Sequence, residues 1–120
     1  MVYQGSTPLA RVSGPRRLWE MRIISRKTLL AFHECRPERA DARPALEAWY
    51  REAKTASWMT SAYVKAKYGS ASILKGGRVV FNICGNKYRL VTWVNYGVGI
   101  IYIRFVGTHA EYDNIDAETI

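Results

Sequence analysis

Three apolar runs interrupted by glycine turns, within RVVFNICGNKYRLVTWVNYGVGIIYIRFVGTHAEYD at residues 78–113, constrain this chain more than any other feature. Residues 78–84 and 87–96 flank Gly85-Asn86 and are dominated by Val, Ile, Tyr, Phe and Trp, the short-loop signature of an antiparallel hairpin. Gly97-Val98-Gly99 makes a second turn, and residues 100–106 supply a third strand. The product is a β-meander. Side chains alternate faces along a strand, so a two-residue turn sets the register: Cys84 opposite Lys87, Ile83 opposite Tyr88, Asn82 opposite Arg89. One face then carries Val79, Phe81, Ile83, Tyr88, Leu90, Val94, Ile101, Ile103 and Phe105, and must be buried. The other carries Arg78, Asn82, Lys87, Arg89, Trp93, Asn95, Tyr102 and Arg104. Pairing Tyr96 with Gly99 sets Arg104 opposite Val91, diagonal to Arg89 and within reach of the same ligand. Two readings stand for this polar face: a ligand-binding surface, or a solvated sheet face whose cations serve solubility.

What precedes the meander supplies cover for one face. Residues 1–20 mix Gly, Pro, Ser and Arg without periodicity and read as a flexible extension, so the domain spans 21–120. Met21-Arg22-Ile23-Ile24-Ser25 is a short strand, after which Ser25 is placed to cap a helix from Arg26 that carries Leu29, Leu30, Phe32 and His33 and stops before Pro37. His33 has no ligand or carboxylate at a useful spacing and reads as a histidine at the helix surface or core edge. A second helix over residues 42–56 tolerates Pro44 in its first turn and sets Leu46, Trp49, Tyr50 and Ala53 in one apolar stripe. A third, shorter helix follows Thr60 and ends at Gly69 in a left-handed stop, with Trp58 as a core plug between helices. Residues 70–75 form a connector or edge strand, and Gly76-Gly77 turns the chain into the meander. These elements describe an α+β fold, helices on one sheet face.

The 120 residues suffice for one domain with a core that needs neither disulfide nor metal. Lys+Arg 18 against Asp+Glu 10 leaves a net charge of +8, so a polyanion is the default partner, and four Trp with eight Tyr favour a surface that binds phosphate and stacks bases. Cys35 and Cys84 match no metal or redox spacing and read as reduced thiols. No apolar run is long enough to span a bilayer and no secretory leader is evident, which leaves a cytoplasmic protein as the simplest expectation. GxGxxG, Walker, HExxH and cysteine-cluster motifs are absent, so neither cofactor nor metal is expected.

The chemistry that remains lies on the polar face and in the segment leaving the last strand. His109 can move a proton near neutral pH, and Tyr112 lies three residues on, so one helical turn points both the same way. RNA cleavage requires only that the 2′-OH attack its own phosphorus while a base takes its proton, cations steady the phosphorane and an acid serves the leaving 5′-oxygen. The alternative for His109 is a cap or turn residue, with Tyr112 in the core. Glu111, Asp113, Asp116 and Glu118 form an acidic tail that balances local charge, and Glu111 is the carboxylate expected beside His109.

FNICGNKYRLV followed by YIRFVGTHAEYDNIDAETI resembles the HigB-type toxins of bacterial type II toxin–antitoxin modules, relatives of the RelE ribosome-dependent mRNA interferases. The resemblance runs from Met21-Arg22-Ile23-Ile24-Ser25-Arg26 through AWYREAK at 48–54 and YGSASI at 68–73 to residue 120. It implies a RelE-like fold, an N-terminal strand and two to three helices on one face of a C-terminal antiparallel sheet. It implies cleavage of translated mRNA in the ribosomal A site, and inhibition by a cognate HigA-like helix-turn-helix antitoxin through which alone operator DNA is met. Arg89 would stabilise phosphate, Lys87 and Arg104 would contact RNA or steady charge, and His109 and Tyr112 would take acid–base and stacking roles. The resulting candidate site is Arg89, His109, Tyr112 and Arg104 for catalysis, with Asn82, Lys87, Lys75, Arg78 and Trp93 on RNA. Cutting should then survive EDTA, provided that ribosomes are kept intact by other means. Residues 1–20 precede the family's usual start, and Lys75-Gly76-Gly77 stands where a polar turn is common. Two rival readings are a non-catalytic RNA- or ribosome-binding module and a protein that acts only within a complex.

Overall fold

The meander occupies the centre of a five-stranded sheet with strand order β1-β5-β4-β3-β2, built from β1 (Arg22–Ile24), β2 (Ser72–Ile73), β3 (Arg78–Ile83), β4 (Tyr88–Asn95) and β5 (Ile100–Thr108). The structure is a computed structural model and describes residues 21–120; the extension expected over 1–20 lies outside the described residues. β2 to β5 are antiparallel, whereas β1 lies parallel to β5 with Ile23 beside Ile101, so the sheet is mixed. The first hairpin has the expected register, Ile83 opposite Tyr88 and Asn82 opposite Arg89. Its left-handed residues are Cys84 (φ 58°) and Gly85 (φ 68°), one position earlier than the Gly85-Asn86 pair.

Helices α1 (Arg26–Glu34), α2 (Ala42–Thr55) and α3 (Ser61–Lys67) cover one sheet face. Leu29 and Phe32 of α1, Leu46, Trp49 and Ala53 of α2, Val64 of α3 and the linking Trp58 are buried with Val79, Phe81, Ile83, Tyr88, Leu90, Val94, Ile101 and Ile103. Each large apolar side chain so buried contributes about 1.5–3 kcal/mol. Trp49, Trp58 and Tyr68 all pack on the Phe81 ring, at centroid distances of 5.1–5.7 Å. His33 is also buried, at the edge of this layer.

Thr60 caps α3 as expected, its hydroxyl accepting from the Tyr63 amide at 3.2 Å. Two other expected helix ends differ. Ser25 makes no side-chain cap bond because its own backbone is left-handed (φ 73°), which serves the sharp passage from β1 into α1. Gly69 is not the left-handed stop of α3. The helix ends at Tyr68, whose amide donates back to the Val64 carbonyl at 2.8 Å, and the Lys65 ammonium holds the turn that follows by donating to the carbonyls of Gly69 and Ala71 at 2.7 and 2.6 Å.

The larger difference is a β-bulge. Thr92 lies opposite Ile103 but Val91 lies opposite Phe105, so Arg104 is the extra, unpaired residue rather than the partner of Val91. Beyond it every side chain of β5 changes face. Phe105 leaves the helix-covered layer and joins Val80, Val91 and Ala117 in a second cluster, and Val106 takes its place against the main core. The second sheet face is therefore not an open polar surface. Residues Ile115, Ala117 and Ile120, which follow the short helix α4 (His109–Tyr112), lie across its centre.

Candidate functional site

The bulge also decides what stands next to Arg89. Gly107 falls opposite it, β5 continues to Thr108, and α4 begins at His109 beside the start of β4. Four residues cannot hold a helix by their own hydrogen bonds, so α4 depends on what grips it. The Thr108 hydroxyl accepts from the Glu111 amide at 3.1 Å and Glu111 Oε1 accepts from the Thr108 amide at 2.9 Å, a reciprocal capping box. The other carboxylate oxygen, Oε2, meets Arg39 Nη2 at 2.8 Å. Arg39 in turn lies over the Phe32 ring at 4.3 Å. The Thr108 amide, and then Arg39, hold the Glu111 carboxyl below its usual range. Gly107 is required by this arrangement: a methyl group there would overlap the Phe105 ring and meet Glu111 Oε1 at 3.0 Å.

Held in this way, α4 brings Tyr112 to Arg89, whose guanidinium carbon lies 5.9 Å from the ring centroid. Arg89 Nη1 also donates to the Asn86 carbonyl at 3.1 Å, which aims the side chain along the first hairpin. His109 is exposed, and its Nδ1 lies 3.3 Å from Asp113 Oδ2. The carboxylate beside the histidine is thus Asp113, because Glu111 is engaged in the capping box and with Arg39. Arg89, His109 and Tyr112 are gathered at one end of the sheet.

Of the remaining expected site residues Lys87 lies near this end, lining a shallow pocket with Arg39, Thr108 and Glu111, while its Nζ meets Oδ2 of Asp41 at the head of α2 and Tyr88 donates its hydroxyl to Oδ1 at 2.6 Å. Lys87 first and Tyr88 second lower the Asp41 carboxyl; Asp41 raises the Lys87 ammonium, and burial first and then Asp41 raise the Tyr88 phenol. Asn82 lies opposite Arg89 in the ladder, yet its amide donates to the Ser70 carbonyl at 3.1 Å and fixes the connector into β2. Arg78 and Arg104 both reach the main-chain oxygen of Ile120, Trp93 stacks on Tyr102 with centroids 4.7 Å apart, and Lys75 is exposed in the turn before β3.

Sequence reasoning did not find Arg39, Asp41 or Asp113 as partners of the site. Asp113 stands four residues after His109 in a helical segment, and that spacing alone could have identified it. Arg39–Glu111 and Asp41–Lys87 join residues far apart in the chain and leave no local signal. Among the described residues there is no group of three or more His, Cys, Asp or Glu side chains that could hold a metal ion, and no helix is long and apolar enough to cross a membrane. Both cysteines are free and exposed.

A sequence-family model described as HigB toxin, the RelE-like toxic component of a toxin–antitoxin system, matches residues 42–115. The match covers more than half of the chain and includes α2, the whole meander and α4. No curated protein matches.

Proposed function

This chain belongs to the HigB family, the RelE-like toxic components of toxin–antitoxin systems, and on that premise we propose that it is an endoribonuclease that cuts translated mRNA on the ribosome. The observation that carries the reading is the meeting of Arg89 with Tyr112, the last residue of α4, with His109 at the start of the same four-residue helix. A cation, a proton carrier and an aromatic ring then face one phosphodiester.

In the proposed reaction the 2′-oxygen forms a bond to phosphorus, the bond from phosphorus to O5′ breaks, and a proton leaves the 2′-OH while another reaches O5′. Asp113 beside Nδ1 favours the tautomer with the proton on that nitrogen, which leaves Nε2 as the lone pair that takes the 2′-OH proton. Arg89 stabilises the charge that develops on the phosphorane oxygens. Tyr112 offers its ring to a base and its hydroxyl to the leaving oxygen. Arg104 lies farther along the sheet, where charge stabilisation reaches the flanking phosphates rather than the scissile one.

The family implies an antitoxin partner. We read that partner as a cognate HigA-like helix-turn-helix protein that alone meets operator DNA, and the site of action as the cytoplasm. Primer-extension mapping in a reconstituted translation reaction tests the reading on the wild type, Arg89→Ala and His109→Ala. Cuts inside translated codons that vanish in both variants are expected. Intact mRNA with the wild type would reject cleavage in favour of an RNA- or ribosome-binding role, and cutting that survives both substitutions would move the chemistry to other residues.

A further inference from the structure

The two halves of the candidate site stand on different elements, Arg89 on β4 and His109 with Tyr112 on α4, and their meeting depends on how α4 is set against β4. One short segment touches both. Between α1 and α2 the chain makes a single tight helical turn, Pro37–Arg39. Arg39 Nη2 reaches Glu111 Oε2 at 2.8 Å, and Glu111 stands two residues after His109 and one before Tyr112. Asp41, two residues after Arg39, accepts from the Tyr88 hydroxyl at 2.6 Å and from the Lys87 ammonium, on the two residues immediately before Arg89. The same segment therefore grips α4 with one side chain and the start of β4 with another.

The turn is itself fixed. Pro37 sets the φ of its first residue, and the Arg39 and Ala40 amides donate to the Arg36 and Pro37 carbonyls, each at 3.1 Å. The Arg39 guanidinium lies 4.3 Å from the Phe32 ring centroid, and its Nη1 lies 3.7 Å from Cys35 Sγ. Phe32 is buried and meets Tyr88 edge-on, with centroids 5.2 Å apart. One buried ring of α1 thus supports both Arg39, which leads to α4, and Tyr88, which leads to Arg89. A displacement of Arg39 would shift α4 and leave β4 in place.

The Arg39–Glu111 pair adds little to folding, because the Glu111 side chain is 46% exposed and solvent screens the attraction. The Arg39 side chain, by contrast, is 13% exposed, and its fork is already shared among Glu111, Cys35 and the face of Phe32, which leaves little of it for RNA. What the pair does control is the orientation of a four-residue helix that cannot hold itself. We propose that Arg39 is a positioning residue of the site, which acts through Glu111 to set α4 so that His109 and Tyr112 face Arg89. The proposal rests on the cleavage reading above, and its test separates the two.

The rate of mRNA cutting is followed by primer extension in a reconstituted translation reaction for the full chain as wild type, Arg39→Met, Glu111→Gln and the double variant. Arg39→Met keeps an apolar stem on Phe32 and removes the fork, while Glu111→Gln keeps an oxygen for the Thr108 amide and turns an N–H group toward Arg39. Each single change should slow cutting by roughly 10²-fold, the cost of a misplaced reacting group. The double variant should be no more than about twofold slower than the slower single one, because both remove one contact, whereas independent effects would multiply to roughly 10⁴. Hydrogen exchange at the Asp113 amide, which donates to the His109 carbonyl at 3.1 Å, should accelerate severalfold in Arg39→Met while the Leu90 and Val94 amides of β4 stay as protected as in the wild type. Should Arg39→Met not fold, Arg39→Gln takes its place in both measurements. Wild-type cutting by the Arg39 variant, multiplied losses in the double variant, or an Asp113 amide that does not respond each overturn the role of Arg39, the multiplied losses in favour of a direct contact with RNA. A wild type that leaves translated mRNA intact rejects cleavage itself, and the positioning role falls with it.

Discussion

The two faces of the sheet are closed by different means. The first is covered by three helices that bring Leu46, Trp49, Trp58 and Val64 onto an unbroken apolar surface, and almost nothing polar interrupts it. The second is covered by a short C-terminal segment that offers Ala117, Ile115 and Ile120 to Val80, Val91 and Phe105, and its rim is made of arginines and stacked rings. Stability is concentrated on the first face, and groups able to meet an anion on the second. One sheet can serve both purposes because successive side chains of a strand point opposite ways.

Phe81→Ala should separate the faces most clearly. Phe81 receives Trp49, Trp58 and Tyr68, so its loss should cost about 3–5 kcal/mol, measured by urea unfolding. A loss below roughly 1 kcal/mol, within the range of an average substitution, would break the assignment of stability to the helix side. Arg89→Ala is the reverse case, expected to lower cleavage by roughly 10²–10³ while unfolding shifts within about 0.5 kcal/mol. Equal damage to both would remove the distinction. Thr108→Ala takes one arm from the capping box of α4 and should cost about 1 kcal/mol, with cleavage falling; unaltered cleavage would show that α4 needs no such clamp.

The smallest effect concerns pH. Asp41 and Glu111 are both held below their ordinary range in the folded chain. Their stabilisation is therefore complete above the unfolded carboxylate values, near 4, and is lost as pH falls through the lower folded ones. Urea midpoints should decline below about pH 4, and Asp41→Asn should flatten that decline. A decline of the same depth in Asp41→Asn would assign the acid sensitivity to other carboxylates. Asp41 lies at the exposed end of α2, where solvent weakens the pair with Lys87.

Local and periodic features were legible without coordinates. Alternation in β3 and β4 identified the buried row from Val79 to Leu90, the hairpin register followed from its short turn, and the 3.6-residue stripe of Leu46, Trp49 and Ala53 identified α2 and its inward face. The placement of Tyr112 near Arg89 was partly legible, as a helical turn at the end of the last strand, and the family resemblance pointed to the same residues.

What tertiary structure alone decided begins at Arg104. An extra residue in a strand leaves no mark in a pattern of apolar and polar letters, and it moved Phe105 to the other face and set Gly107 opposite Arg89. The pairs Arg39–Glu111 and Asp41–Lys87, and the return of Ile120 to Arg78 and Arg104, depend on which distant surfaces meet once the core has closed. Periodicity reports how a segment satisfies its own backbone and which side it buries. Which charges meet is a property of the packed whole, because one carboxylate suits many cations and only packing selects among them.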